Sequence, residues 1–285
     1  MKADLHCHTT LSDGSLGIEE VISQARRAGI THLAITDHDT LSSLSRSAVL
    51  GNRYGVNIIP AVEFSAFDGE RGTKAHILCY MPQKPDRLEG LCLRNTENRK
   101  KRGKKIAMKV IEKYPISIEH IARYASGGKA IYRCHVMHAL MDYGYTTELY
   151  GKVYNEIFNT NDGICADIVK NETYEYPEVR FVLQLIHSSG GIAVIAHPKV
   201  YNNFELVDEL GKKGEIDGVE IWHQSLSETD REGLVKVAEK HGLITTGGSD
   251  FHGFYNYYPL SLGDNLTPEN SLIKLNNLHK KEVHA

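Results

Sequence analysis

Long hydrophobic runs are missing from this chain of 285 residues: no apolar stretch approaches a membrane span, and the first residues have neither the basic nor the apolar region of a signal peptide. Cysteine is sparse too. The five present (Cys7, Cys79, Cys92, Cys134 and Cys165) are odd in number, widely spaced and without a C-x-x-C pair, which argues against a disulfide framework or a cysteine zinc knuckle. A reduced, cytoplasmic setting without membrane attachment is expected. Nor does either sign of charge dominate. A formal −3 and a pI near 6.6 supply no basic footprint for duplex DNA, although they leave room for a local phosphate pocket. No internal repeat or low-complexity linker divides the chain, and its length suits one large α/β domain or a barrel carrying an inserted piece.

What the sequence does have is histidine, fifteen in all. In the opening stretch Asp4, His6 and His8 alternate with apolar or small residues, so a strand with a period of two turns all three to one side. Imidazole and carboxylate together suit zinc, manganese or iron. Ser12-Asp13-Gly14 follows at a turn and adds a carboxylate beside the strand end.

Further along, apolar spacing predicts helices from Ile18 to Ala28, stopped by Gly29, and from Ser42 to Tyr54, stopped by Gly55. Strands are predicted at His32–His38, Val56–Glu63 and Ala75–Tyr80. A strand–helix alternation with mostly apolar strands implies a parallel sheet covered by helices. From 86 to 178 the rhythm changes to polar and mostly helical, with the basic run Arg99-Lys-Lys-Arg102. This stretch reads as a helical insertion, leaving 1–85 and 179–285 as the strand-bearing part. Strands resume at Gly191–His197, Gly218–His223 and from Leu243, with helices around 178–188 and 227–241, for seven strands in total.

The candidate ligands gather at strand ends. His6, His8, Asp13, His38, Glu63, His197, Asp250 and His252 lie at or just past them, and His76 lies early in its own strand. In a parallel barrel the carboxyl ends share one rim, so residues distant in sequence meet in one cleft. Nine donors exceed the needs of one four-coordinate ion and fit two or three, with Glu63 or Asp250 bridging. Asp37 and Asp39 are expected to orient the His38 ring, Glu220 and His223 to sit in core or rim, and Cys7 to pack inside the barrel wall. His32, His120, His138, His187, His241, His279 and His284 read as solvated or core residues.

Asp4-Leu-His-Cys-His-Thr9, Thr36-Asp-His-Asp39, Val62-Glu-Phe-Ser65, Ala196-His-Pro198 and Gly248-Ser-Asp-Phe-His252 together resemble the PHP (polymerase and histidinol phosphatase) family of metal-dependent phosphoesterases. The resemblance spans nearly the whole chain. It implies a distorted (β/α)7 TIM-like barrel with a trinuclear site: His6, His8, Glu63 and Asp250 on one ion, Glu63, His76 and His197 on a second, Asp13, His38 and His252 on a third. Manganese, iron or zinc would serve. The insertion is similar to that of the branch containing 3′,5′-nucleoside bisphosphate phosphatases and a 5′-trimming exonuclease of short RNA. Its substrate-binding arginines and Arg-x-His match Arg99, Arg102, Arg133 and His135. Independently, guanidiniums three residues apart share a helix face and can grip a phosphate. Tyr132-Arg-Cys-His135 departs from the usual motif, which bears on the leaving group more than on the chemistry.

The expected reaction is hydrolysis of a phosphate monoester, most naturally of a nucleoside bisphosphate or short RNA end, by a hydroxide held at Glu63 and Asp250. A cyclic phosphodiester, a sugar or histidinol phosphate, an amide substrate and a non-catalytic metal-binding module are the alternatives. A small phosphorylated partner is implied, and no obligate protein partner.

Overall fold

The computed structural model describes residues 1–283, so His284 lies outside it. The first half runs β1 (Ala3–Cys7), α1 (Ile18–Arg27), β2 (His32–Ile35), α2 (Leu44–Tyr54), β3 (Asn57–Ile58), β4 (Ala61–Asp68) and β5 (Thr73–Tyr80). Five helices follow: α3 (Glu89–Lys113), α4 (Ile118–Tyr124), α5 (Arg133–Asp142), α6 (Lys152–Phe158) and α7 (Ala166–Asn171). The last part is α8 (Val179–Ser188), β6 (Ile192–Ile195), α9 (Phe204–Lys213), β7 (Gly218–Trp222), α10 (Glu228–His241), β8 (Ile244–Gly247) and α11 (Glu269–Val283). The fold is mixed α/β. Among the described residues no helix is long and apolar enough to cross a membrane.

The strands form a three-stranded sheet, β1-β2-β3, and a five-stranded one, β4-β5-β6-β7-β8, rather than one continuous closed ladder. Two expectations are corrected here. The stretch Val56–Glu63 is not one strand: Pro60, which has no N–H to give a ladder, separates β3 from β4. And the sheets are not all parallel, because β5 runs antiparallel to both β4 and β6. Only residues 69–72 join β4 to β5, far short of the dozen or so a parallel crossover requires. This reversal accounts for His76 lying near the start of its strand: Ser65 pairs with His76, and Glu63 with Leu78, so His76 is the diagonal neighbour of Glu63 on the same face. Helices α9 and α11 went unanticipated, although α9 buries Leu206, Val207 and Leu210 at helical spacing.

Strand residues are apolar on both faces because both are covered. Leu5, Ala61, Leu78, Tyr80, Val194 and Ala196 pack against one another, and with Leu272 and Leu275 of α11, on one side. Val62, Phe64, Ile77, Ile195 and Val219 meet α8, α9 and α10 on the other. Cys7 packs with α1 instead, beside Ile18, Val21 and Ile22, and donates to the Ala34 carbonyl. The stretch α3–α7 has an apolar cluster of its own, built from residues such as Ile106, Val110, Met137, Leu140 and Phe158. At one end the two sheets approach through single bridges, His38 to Glu63 and Cys7 to Phe251. The candidate ligands lie at these bridges.

Candidate metal centre

Glu63 is the hub. It is fully buried, and each oxygen faces a different set of imidazoles. Oε2 lies 3.2 Å from His6 Nε2, His8 Nε2 and His38 Nδ1. Oε1 lies 2.9 Å from His76 Nδ1 and 3.0 Å from His197 Nε2. Asp250 makes a second junction, with Oδ1 at 3.3 Å from His6 Nε2 and 3.2 Å from His8 Nε2. Asp13 makes a third, 3.4 Å from His252 Nε2 and 3.6 Å from His38 Nε2. The structure thus brings all nine predicted ligands into one contiguous cluster.

The backbone is shaped to hold them. Asp39, His197 and Asp250 are non-glycine residues with positive φ (53°, 26° and 47°), a conformation costing on the order of 1 kcal/mol or more each that the surrounding fold must enforce. The turn carrying Asp13 requires Gly14, since a Cβ there would fall 2.5 Å from the His8 carbonyl oxygen. Asp37 pins that turn by accepting from Thr9 N, Thr9 Oγ1 and Ser12 Oγ, each at 2.7 Å.

Asp37 is therefore not a partner of the His38 ring, and neither is Asp39, which accepts from Arg99 Nη2 at 2.8 Å and Asn95 Nδ2 at 2.7 Å. Their side chains turn away from His38 toward the donors of neighbouring loops and α3. Asp4 also departs from its expected place beside His6 and His8. A register irregularity between Asp4 and Cys7 breaks the alternation, and Asp4 accepts instead from Ser249 N, Ser249 Oγ and Gly263 N. It anchors the loop that carries Asp250.

Two positions beside the cluster were undervalued in sequence. Glu220, wholly buried in β7, accepts from His6 Nδ1 at 3.0 Å and from the His197 backbone N–H at 2.8 Å. A carboxylate on the far nitrogen leaves His6 Nε2 free to ligate and fixes the ring. His223 Nε2 lies 3.3 Å from Asp250 Oδ2. A lone acid in an otherwise apolar strand was the only sequence signal for Glu220.

Charge and donor chemistry fit divalent cations. Burial alone would lift the Glu63 carboxyl, but the His38, His6 and His76 imidazoles hold it well below the usual range. Asp250 and Asp13 are depressed in the same way, against burial, by His6 and His252 and by His38 and His252. Burial opposes protonation of His6, yet Glu220, Asp250 and Glu63 push it well above its ordinary value. Protons and metal ions compete for such nitrogens. His8 Nε2, His38 Nδ1 and His76 Nδ1 are buried close to Glu63 oxygens without the geometry of a hydrogen bond, and donor atoms of His8, Asp13, His38 and His252, of His6, His197 and Asp250, and of His38, Glu63 and His76 converge within 4.8 Å in each set. This is a candidate metal-binding cluster.

A cavity of ≈ 680 Å³ opens over Asp13, His38, His76, Asp250 and His252. Lys74, Arg99, Arg102 and Arg133 also line it, as do Tyr150, Tyr154, Tyr257 and Tyr258. Arg99 is bound to Asp39 and lies 4.8 Å over the Tyr132 ring, while Arg102 donates to Glu175 and to Tyr176 Oη. His135 does not line this cavity. It lies in the first turn of α5, buried, where Nδ1 accepts from Tyr132 N at 3.2 Å.

The chain is similar to several known proteins. The PHP domain family matches residues 4–165. The phosphoribosyl 1,2-cyclic phosphate 1,2-diphosphodiesterase of Eggerthella lenta is 33% identical over 91% of this chain and 97% of its own length. The 5′-3′ exoribonuclease Rnm of Escherichia coli is 30% identical, covering 87% of this chain and 84% of that protein. The 3′,5′-nucleoside bisphosphate phosphatase of Chromobacterium violaceum is 28% identical, covering 87% and 86%. A structure from Bifidobacterium adolescentis, described as that of a metal-dependent phosphoesterase, superposes with a TM-score of 0.81 at 26% identity over 96% of this chain and 95% of that one. With the family match across more than half the residues, and a relative this similar along nearly its whole length, the chain belongs to the PHP domain family and is a metal-dependent phosphoesterase.

Proposed function

We propose that this phosphoesterase acts on a small substrate bearing two phosphate groups, one hydrolysed over Glu63 and Asp250 and the other gripped by the basic wall of the cavity. A nucleoside 3′,5′-bisphosphate or a short RNA end is the preferred substrate. The observation that carries this reading is the placing of Lys74, Arg102 and Arg133 in the same cavity as His38, His76 and Asp250. Tyr257 and Tyr258, exposed in the lining of that cavity, offer faces for a nucleobase. A second reading, a five-membered cyclic phosphate on a phosphorylated ribose, draws support from the 33% identity with the Eggerthella lenta protein. Both substrates present two phosphates on one ribose.

In this account the nine clustered residues hold two or three manganese, iron or zinc ions, which would supply hydroxide at neutral pH and offset charge on the phosphoryl oxygens. Glu63 presents one oxygen to each half of the donor set, and Asp250 fixes the other edge. Glu220 keeps the His6 proton on Nδ1. We read the two sheets as halves of a distorted barrel with the site at its mouth, and residues 86–178 as the cap that delivers Arg99, Arg102 and Arg133 over it. Arg99, tied to Asp39, shapes the wall more than it reaches substrate.

The test follows, in the presence of Mn²⁺, phosphate release from a nucleoside 3′,5′-bisphosphate, ring opening of a phosphoribosyl 1,2-cyclic phosphate and mononucleotide release from a short 5′-phosphorylated RNA, each against the same compound lacking its second phosphate. The doubly phosphorylated members should show at least about tenfold higher kcat/KM, the worth of one charge-assisted phosphate contact. Equal turnover of singly phosphorylated esters would reject the reading.

A further inference from the structure

The basic wall already contains an anion. Glu172 follows α7 at the start of a short 3-10 turn and is 5% exposed, yet it lines the cavity. Its Oε1 is in contact with Lys74 Nζ and lies 2.7 Å from Arg133 Nη2, and its Oε2 lies 3.5 Å from Arg102 Nε. One carboxylate thus draws together cations from β5, α3 and α5.

Resting on the function proposed above, we propose that Glu172 is a resident anion that occupies the seat of the substrate's second phosphate and yields it when that phosphate arrives. The cluster attracts more negative charge than Glu172 alone supplies. Three cationic side chains, Lys74, Arg102 and Arg133, meet this one carboxylate, and a second acid, Glu175, pairs with Arg102. A phosphate dianion carries twice the charge of a carboxylate and three terminal oxygens, so it can serve Lys74, Arg102 and Arg133 at once. Arg102 keeps Glu175 and Tyr176 Oη when Glu172 departs. A group with a weaker charge than a phosphate does not repay the displacement. Glu172 thereby becomes a specificity determinant, and until displaced it pairs the half-buried Lys74 and Arg133.

Glu172→Gln keeps the size of the side chain and removes the competing charge. Its KM for a nucleoside 3′,5′-bisphosphate should fall about tenfold relative to its KM for the corresponding monophosphate. In parallel, sulfate titrated calorimetrically into metal-free protein should bind about tenfold more tightly to Glu172→Gln than to the unaltered chain, and the gain should vanish when Arg133→Met is added. A raised KM, an equal change for both esters, or unaltered sulfate affinity would overturn the inference and leave Glu172 a structural strut. Glu172→Asp, which draws the carboxylate back by one methylene, should shift the sulfate affinity in the same direction and serves if Glu172→Gln does not fold. Should the unaltered enzyme turn over neither ester, the proposed function fails while the sulfate titration still decides the role of Glu172.

Discussion

Replacing Glu220 by Gln should cripple metal binding without disturbing the fold, and the geometry says why. Both oxygens of the native carboxylate accept, one from His6 Nδ1 and one from the His197 backbone N–H. A glutamine offers one acceptor and one donor. If its oxygen stays on His197, the amide NH2 faces His6 Nδ1, which must then accept, so the ring proton moves to Nε2 and blocks that nitrogen as a ligand. If its oxygen turns to His6, two N–H donors confront each other at His197 in a fully buried position, at a cost of about 1–3 kcal/mol. Either arrangement loses one charge-assisted hydrogen bond. Substitutions of this type lower metal affinity or activity by roughly 10- to 100-fold, or about 1.4–2.7 kcal/mol. Manganese titrations followed by calorimetry, and by phosphate release, measure the loss directly. Unchanged manganese affinity in Glu220→Gln would refute the claim that this carboxylate sets the His6 tautomer.

Other expectations follow from particular contacts. Arg133→Met removes a guanidinium from the cavity wall and should raise KM for doubly phosphorylated substrates by about tenfold while leaving kcat nearly intact; an unchanged KM takes Arg133 out of the pocket. Burial pushes the His135 imidazole down to about 4, against an ordinary value near 6.5, so the folded protein resists a proton that the unfolded chain accepts. That contribution to stability is complete above pH 6.5 and is lost as pH falls toward 4, by up to about 3 kcal/mol. Melting temperatures of His135→Gln should therefore decline less steeply over that window, and parallel curves would contradict the assignment. A Cβ on Gly248 would fall 2.3 Å from His6 Cβ, so Gly248→Ala should force β1 from β8, cost about 1–3 kcal/mol by urea denaturation and weaken metal binding; a variant as stable as its parent would show that the strands part easily.

Much of the metal cluster was legible because its donors sit in short motifs at strand ends, where chemistry-bearing residues interrupt apolar runs. Helices α1 and α2 were legible from apolar spacing and from Gly29 and Gly55, whose positive φ ends each helix. The reversal of β5 was visible only in the shortness of residues 69–72, which outweighs the strand–helix rhythm elsewhere. Glu220 and His6 are 214 residues apart, so the bond that orients the ring could be known only from the fold. The same holds for Asp4, whose alternation with His6 predicts a shared face that the β1 irregularity breaks. Arg99 and Arg102 were recognised as cations in the right helix. Their carboxylate partners Asp39, Glu172 and Glu175 come from distant segments, and only the structure reveals how much of their charge is already committed.

The claim beneath all of this is that Glu63 joins the two halves of one multinuclear centre. Elemental analysis of the purified chain, loaded with manganese and freed of excess ion, tests it against Glu63→Gln. The account predicts two or more ions per chain in the native protein and a loss of more than one in the variant, whereas a variant that keeps the full complement would contradict it.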